Sequence, residues 1–297
     1  KKHFCLNYTH QDNWLCPGSL ARIGVQMLTI AEILGEDGGD RPTRLREAAE
    51  KLAAWLELNV PLLPNGWIPR RITQDGDPYP MDPQGGMDAI FDHSADGLFL
   101  LQLWGMTGRV ELARMLGDGF VDAGGYWGSI NHDTFDDHED VAYAVAFRVL
   151  NAMGKQLDRP EWIEFATSVA LPAMEKFRIQ RDEHGVPSRG LYWMEESWDT
   201  AYLWENAEIV HAHLDAFADG GEEELREKAL ETLTTLARHH YGNLGFMTEG
   251  IDWNNHVSQM HHIDRDYYGA ILYTEPLLNN LHLVGPTLAY LKEAGFE

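Results

Sequence analysis

The stretch SWDTAYLWENAEIVHAHLDAF, residues 197–217, decides how this chain is read. Tyr202, Leu203, Ala207, Val210, Leu214 and Phe217 recur at steps of three and four, the period of a helix that buries much of its surface. Ser197 or Asp199 is expected to cap the first turn, where unpaired N–H groups accept an anionic partner. Trp198, Asp199, Tyr202, Glu205 and His211 add carboxylates, aromatics and an imidazole to the same element. A capped core helix with satisfied polar groups explains any one of these residues. A functional reading needs the arrangement to recur.

It recurs on both sides. SLARIGVQMLTIAEIL, residues 19–34, is an amphipathic helix ended by Gly35. Residues 43–59 follow as a second helix, with Leu45, Ala48, Leu52, Trp55 and Leu56 on one stripe and charges on the other face. An apolar helix from about Asp92 is paired with a charged one over 109–121, and a helix from about Asp137 with one over 160–178. The central stretch is paired with GGEEELREKALETLTTLARHH, which turns Leu225, Ala229, Leu233 and Leu236 inward. A last helix runs from about Glu275 to Ala294, with Pro276 in its first turn and Pro286 kinking or splitting it. GLYW and FMTE read as short strand pieces in loops.

Alternation of buried and half-exposed helices predicts an inner and an outer ring. The expected fold is all-α, an (α/α) toroid or barrel of four to five helical hairpins, so that a complete six-hairpin barrel is not required. One toroid domain over 1–297 is expected, with 1–18 an irregular lead-in. Residues 59–86, NVPLLPNGWIPRRITQDGDPYPMDPQGG, are too rich in proline and glycine for a helix and read as an ordered flap over a site.

The chain carries 23 Lys and Arg against 47 Asp and Glu, a net charge of −24, so its field repels phosphates and no nucleic-acid partner is expected. No apolar run approaches the roughly 20 residues of a membrane span, so no membrane partner is expected either. Cys5 and Cys16 are compatible with a disulfide or with two thiols, and localisation stays open. Ten Trp, eleven Tyr and eleven Phe suit both a large core and stacking on sugar rings.

The chemistry gathers at the helix mouths. Asp92-His93 and Asp137-His138 are matching dipeptides 45 residues apart, and their helices end in similar MTGR and MGK turns. Asp199 and Glu275 stand at comparable positions. The macrodipole favours acids at helix starts and accounts for about half of them, but not for the neighbouring Trp and His. A pit lined by acids and aromatics is expected. Trp67, Trp127, Trp198 and Trp253 would be its stacking platforms, with His93, His138, Tyr202, His256 and Tyr267 as further substrate contacts. Trp55, Trp104 and Trp162 are expected in the core.

These alternating hairpins, acidic-aromatic helix openings and the DGDPYP loop resemble the six-hairpin glycosidase superfamily, (α/α)-toroid glycoside hydrolases with toroid polysaccharide lyases as relatives. The resemblance implies a pair of carboxylates acting on an oligo- or polysaccharide, with Asp199, Asp137, Asp92 and Glu205 as the candidate catalytic acids and Asp199 foremost. It implies no cofactor and no metal. One acid protonates the leaving oxygen and the other activates water, about 6.5–9.5 Å apart in an inverting enzyme and about 5–5.5 Å in a retaining one.

Three other readings stand beside this one. Asn254, Asn255, His256, Arg265, Tyr267 and Tyr268 resemble the set with which toroid lyases neutralise a uronate and remove its C5 proton. Asp136, Asp137, His138 and Asp140 have the oxygen-rich character of a Mg²⁺ or Ca²⁺ site and the form of a terpene-cyclase aspartate box, without a second box after it. A non-catalytic glycan-binding toroid would use the same aromatics without an acid pair.

Overall fold

The computed structural model describes residues 14–62, 68–69, 72–73, 75–77, 94–125, 140–182, 186–194, 200–241, 246–247, 250–252 and 276–295. They divide into two compact units, 1–130 with 149–165 and 131–148 with 166–297.

The first unit contains β1 (Trp14–Leu15), α1 (Pro17–Leu34), α2 (Arg41–Asn59), β2 (Ile72–Thr73), α3 (Ser94–Met106) and α4 (Val110–Asp122). The second half of α5 (Asp140–Gln156) and α6 (Pro160–Phe165) complete it. α1 packs on α2 and α3, and α3 on α4, so the expected hairpins form. α3 is apolar on nearly every side, and Leu98, Phe99, Leu100, Leu101, Leu103 and Trp104 are all buried as predicted. β1 pairs antiparallel with β2, and Ile68 and Ile72 are wholly buried, so described parts of the 59–86 loop pack into this unit.

The face of α2 differs from expectation. Its buried stripe is Ala49, Ala53 and Leu56, where α2 packs on α1, and the Trp104 indole of α3 donates to the Ala53 carbonyl at 3.4 Å. Leu45, Ala48, Leu52 and Trp55 are only half buried. Of these, Ala48, Leu52 and Trp55 line an apolar hollow of about 370 Å³ with Leu15, Leu20, Ile23 and Met27, so Trp55 is not the core residue expected. Trp162 is core. Its ring lies over Gly117, where an added Cβ would come within 2.3 Å of it, and its indole donates to Asp118 at 2.9 Å.

The second unit holds the first half of α5, then α7 (Leu171–Met174), β3 (Thr200–Tyr202), α8 (Leu203–Ala218) and α9 (Glu223–Arg238). β4 (His240–Tyr241), β5 (Phe246–Met247), β6 (Gly250–Asp252) and α10 (Pro276–Glu293) follow. The helix expected over 160–178 is broken by a π-helical turn at Ala166–Ala170. Pro172 accounts for the break: it has no N–H for the Ser168 carbonyl and its ring crowds that carbonyl, so the ladder widens. α8 and α9 pack as a hairpin, and α10 lies on both. Their core includes Val210, Leu214, Ala229, Leu233, Leu236 and Ile251, each large aliphatic contributing about 1.5–3 kcal/mol by leaving water. α10 is continuous through Pro286, and it keeps Val284, Leu288 and Leu291 exposed where a buried helix was expected. Among the described residues no helix is long and apolar enough to cross a membrane.

Candidate functional site

The deciding stretch starts its helix later than its periodicity suggests. Thr200, Ala201 and Tyr202 pair antiparallel with Asp252, Ile251 and Gly250, and α8 begins only at Leu203, with Tyr202 as an extended N-cap. Thr and Tyr favour extended backbone, and a pairing partner far along the chain overrides the local period. The acid in the first turn of α8 is therefore Glu205, not Asp199, and Glu205 is not two turns inward as its spacing from Ser197 implied. The N-cap position is Tyr202, and Ser197 and Asp199, expected to cap the helix, lie outside the described residues.

Glu205 is wholly buried, and so is its neighbour Asn206. The Asn206 amide docks on the backbone of Tyr192: Oδ1 accepts the Tyr192 N–H at 2.7 Å, and Nδ2 donates to the Tyr192 carbonyl at 3.2 Å and to the Tyr202 carbonyl at 2.8 Å. Residues 191–193 form a short extended strip. On its other edge Ile179 donates to the Leu191 carbonyl and Trp193 donates to the Phe177 carbonyl. The strip ends at Met194, whose carbonyl accepts the Asp140 N–H at 3.0 Å where α5 begins. Asp140 is also wholly buried, and its Oδ1 accepts the Val141 N–H, as suits a carboxylate at a helix start. Two buried acids at two helix openings thus share one piece of backbone.

Further along α8 a second polar group is buried. Glu175 Oε1 accepts from His213 Nε2 at 2.6 Å and from the Tyr192 hydroxyl at 3.0 Å, while Lys228 Nζ lies 2.7 Å from Oε2. Burial pushes the Glu175 carboxyl up, but the His213 hydrogen bond and charge together with Lys228 outweigh it and hold it at about 2. Burial, then the Glu175 charge, holds the Tyr192 phenol well above its ordinary value. His239 is buried against the Pro187 carbonyl at 2.7 Å, and burial lowers its pKa. On the first half of α5, Arg148 bridges Asp215 at 2.8 Å and Glu208 at 2.6 Å, both on α8.

Of the expected site residues, the structure places Glu205 and Tyr202 together at the opening of α8, where Tyr202 is 2 % exposed. Asp199, Asp137, Asp92, Trp67, His93, Trp127, His138, Trp198, Trp253, His256 and Tyr267 lie outside the described residues. So do Asp136, Asn254, Asn255, Arg265, Tyr268 and Cys5, whereas Cys16 is buried at the start of α1. Among the described residues no cluster of His, Cys, Asp or Glu could hold a metal ion. Sequence reasoning missed Asn206, Tyr192, Glu175 and His213 and weighed Asp140 only as a metal ligand. A polar residue on the apolar face of α8, as Asn206 and His213 are, was the available signal.

No protein-family model matches the sequence, and neither does any curated protein. Solved structures do match in fold. A cellobiose 2-epimerase from Bacillus thermoamylovorans B4167 is 12% identical over 96% of this chain and 73% of its own, with a TM-score of 0.64. A sugar epimerase from a ruminal bacterium is 13% identical over 97% of this chain and 74% of its own, with a TM-score of 0.61. A possible member of the GH105 family from Salmonella enterica serovar Paratyphi A is 15% identical over 90% of this chain and 70% of its own, with a TM-score of 0.56. At such identities the likeness is one of fold. This chain shares the all-α, helical-hairpin fold of the six-hairpin (α/α)-toroid proteins.

Proposed function

We propose that this chain is a carbohydrate-active enzyme whose site opens at the start of α8, and that it hydrolyses a glycosidic bond with a pair of carboxylates. The observation that carries the reading is Glu205, an acid wholly withdrawn from water in the first turn of α8, next to the buried Tyr202. The sequence sets Trp198 and Asp199 just ahead of this opening. Solved structures of the same fold described as sugar epimerases and a possible GH105 member support a sugar as substrate. One carboxyl, kept protonated by its surroundings, gives its proton to the leaving oxygen, and a second removes a proton from the attacking water. Asp199 takes one role, with Asp137 or Glu205 opposite. The aromatics of the surrounding loops stack on the sugar rings.

Epimerisation or isomerisation of a reducing sugar is the second reading, favoured by the epimerases' higher TM-scores of 0.61 and 0.64. The same acids would then carry a proton to and from the carbon beside a carbonyl.

A single incubation separates these readings. The protein is mixed with neutral and uronate oligosaccharides, and reducing ends, absorbance of an unsaturated product and sugar composition are followed together. New reducing ends without absorbance are expected. An altered sugar composition without new ends makes it an epimerase, and an absorbance gain makes it a lyase. No change in any of the three readouts contradicts a carbohydrate-active enzyme.

A further inference from the structure

We infer that Asn206 is the positioning residue of this site, holding the acid at the opening of α8 in register with the opening of α5. The inference rests on the reading of the α8 opening as the sugar site.

The geometry supports that role for three reasons. First, Asn206 is wholly buried and adjacent to Glu205, so whatever fixes its side chain fixes the first turn that carries the acid. Second, its amide acts as one more strand beside Tyr192: it engages both the N–H and the carbonyl of that residue, on the edge not used by Phe177 and Ile179. Both amide hydrogens are occupied, since the remaining one goes to the Tyr202 carbonyl, where β3 turns into α8. Rotation of the side chain about its own axis is thereby excluded. Third, the clipped strip continues to Met194, whose carbonyl holds the Asp140 N–H. A shift at residue 206 therefore passes through two residues of extended backbone to the start of α5. That start lies two positions after His138 and three after Asp137 in sequence.

No other side chain can replace this contact easily. Leucine has the size of asparagine but offers no donor or acceptor, which leaves the Tyr192 N–H and carbonyl buried without partners. Aspartate keeps the acceptor for the Tyr192 N–H and loses both donated bonds.

The test measures kcat and KM of Asn206→Ala and Asn206→Asp on the oligosaccharide that the parent turns over. Glu205→Gln is measured beside them, and Trp162→Phe, which removes a half-buried bond to Asp118 in the other unit, serves as a stability control. Misplacing a reacting group by a fraction of an ångström lowers turnover steeply, so kcat is expected to fall about ten- to a hundredfold in Asn206→Ala with KM within about twofold. Trp162→Phe should keep the kcat of the parent. Asn206→Asp gives the same comparison if the alanine variant does not fold. Parent-like kcat in a folded Asn206 variant, with Glu205→Gln inactive, overturns the positioning role and leaves the site standing. Parent-like kcat in Glu205→Gln alone also overturns the positioning role, and parent-like kcat in both Glu205→Gln and Asp199→Asn overturns the site itself.

Discussion

The side-chain amide of Asn206 pairs with the backbone of Tyr192 at two points, accepting its N–H at 2.7 Å and donating to its carbonyl at 3.2 Å. An amide used this way replaces a neighbouring strand where α8 offers only its side. Its removal strands buried backbone groups, and an unmade buried bond costs more than a made one contributes.

Asn206→Ala is therefore expected to lose about 2–3 kcal/mol of stability. Urea denaturation gives the value directly, with the slope of the transition unchanged if the same surface is exposed. A loss below about 0.5 kcal/mol would mean that the pairing holds nothing together.

Gly117 allows a closer helix approach than any other residue could. Its hypothetical Cβ would stand 2.3 Å from Trp162 Cζ2, in a ring whose own indole is tied to Asp118. Gly117→Ala should cost about 1–3 kcal/mol by overpacking, despite alanine's better helix propensity. A neutral or stabilising result in thermal melting contradicts the packing of α4 on α6.

Glu175 predicts how the fold responds to acid. Its carboxyl is held at about 2, below its ordinary 4.5, because His213 and Lys228 outweigh the burial that pushes it up. A carboxyl with a lowered folded value adds stability that is complete above the unfolded value and lost as pH falls towards the folded one. The stability gap between parent and Glu175→Gln should be widest above about pH 5 and narrow steadily towards about pH 2. Denaturant melts across that range check it, and a gap independent of pH contradicts it.

Much of the architecture was legible because amphipathic helices announce themselves locally. Leu98 to Trp104 in α3, and Ala229, Leu233 and Leu236 in α9, are buried where their spacing put them. Turn chemistry also marked the ends, as Gly35 does after α1. What failed was long-range. Thr200–Tyr202 left the helix because of residues 250–252, which no local period reveals. Ala49 and Ala53, rather than larger residues, sit with Leu56 on the buried face of α2, which the packing of α1 on α2 selects. Pro172 was visible, yet the π-helical turn that it imposes was read as unbroken helix. The buried polar group around Glu175 joins side chains 17, 38 and 53 positions away along the chain, too far for any pattern within one element. At the candidate site, acids and aromatics were recognisable as types of residue. The backbone strip that aligns Glu205 with Asp140 was not.

The role proposed for the acids at the α8 opening is proton transfer on a sugar. It is tested most directly by the turnover of Asp199→Asn and Glu205→Gln on an oligosaccharide that the parent cleaves. Each substitution keeps shape and removes a proton carrier, a change worth about 10²–10⁴ in rate for a group that moves a proton in the transition state. A loss of that size is expected in at least one of the two folded variants, with substrate binding retained. Turnover within a few-fold of the parent in both would contradict it.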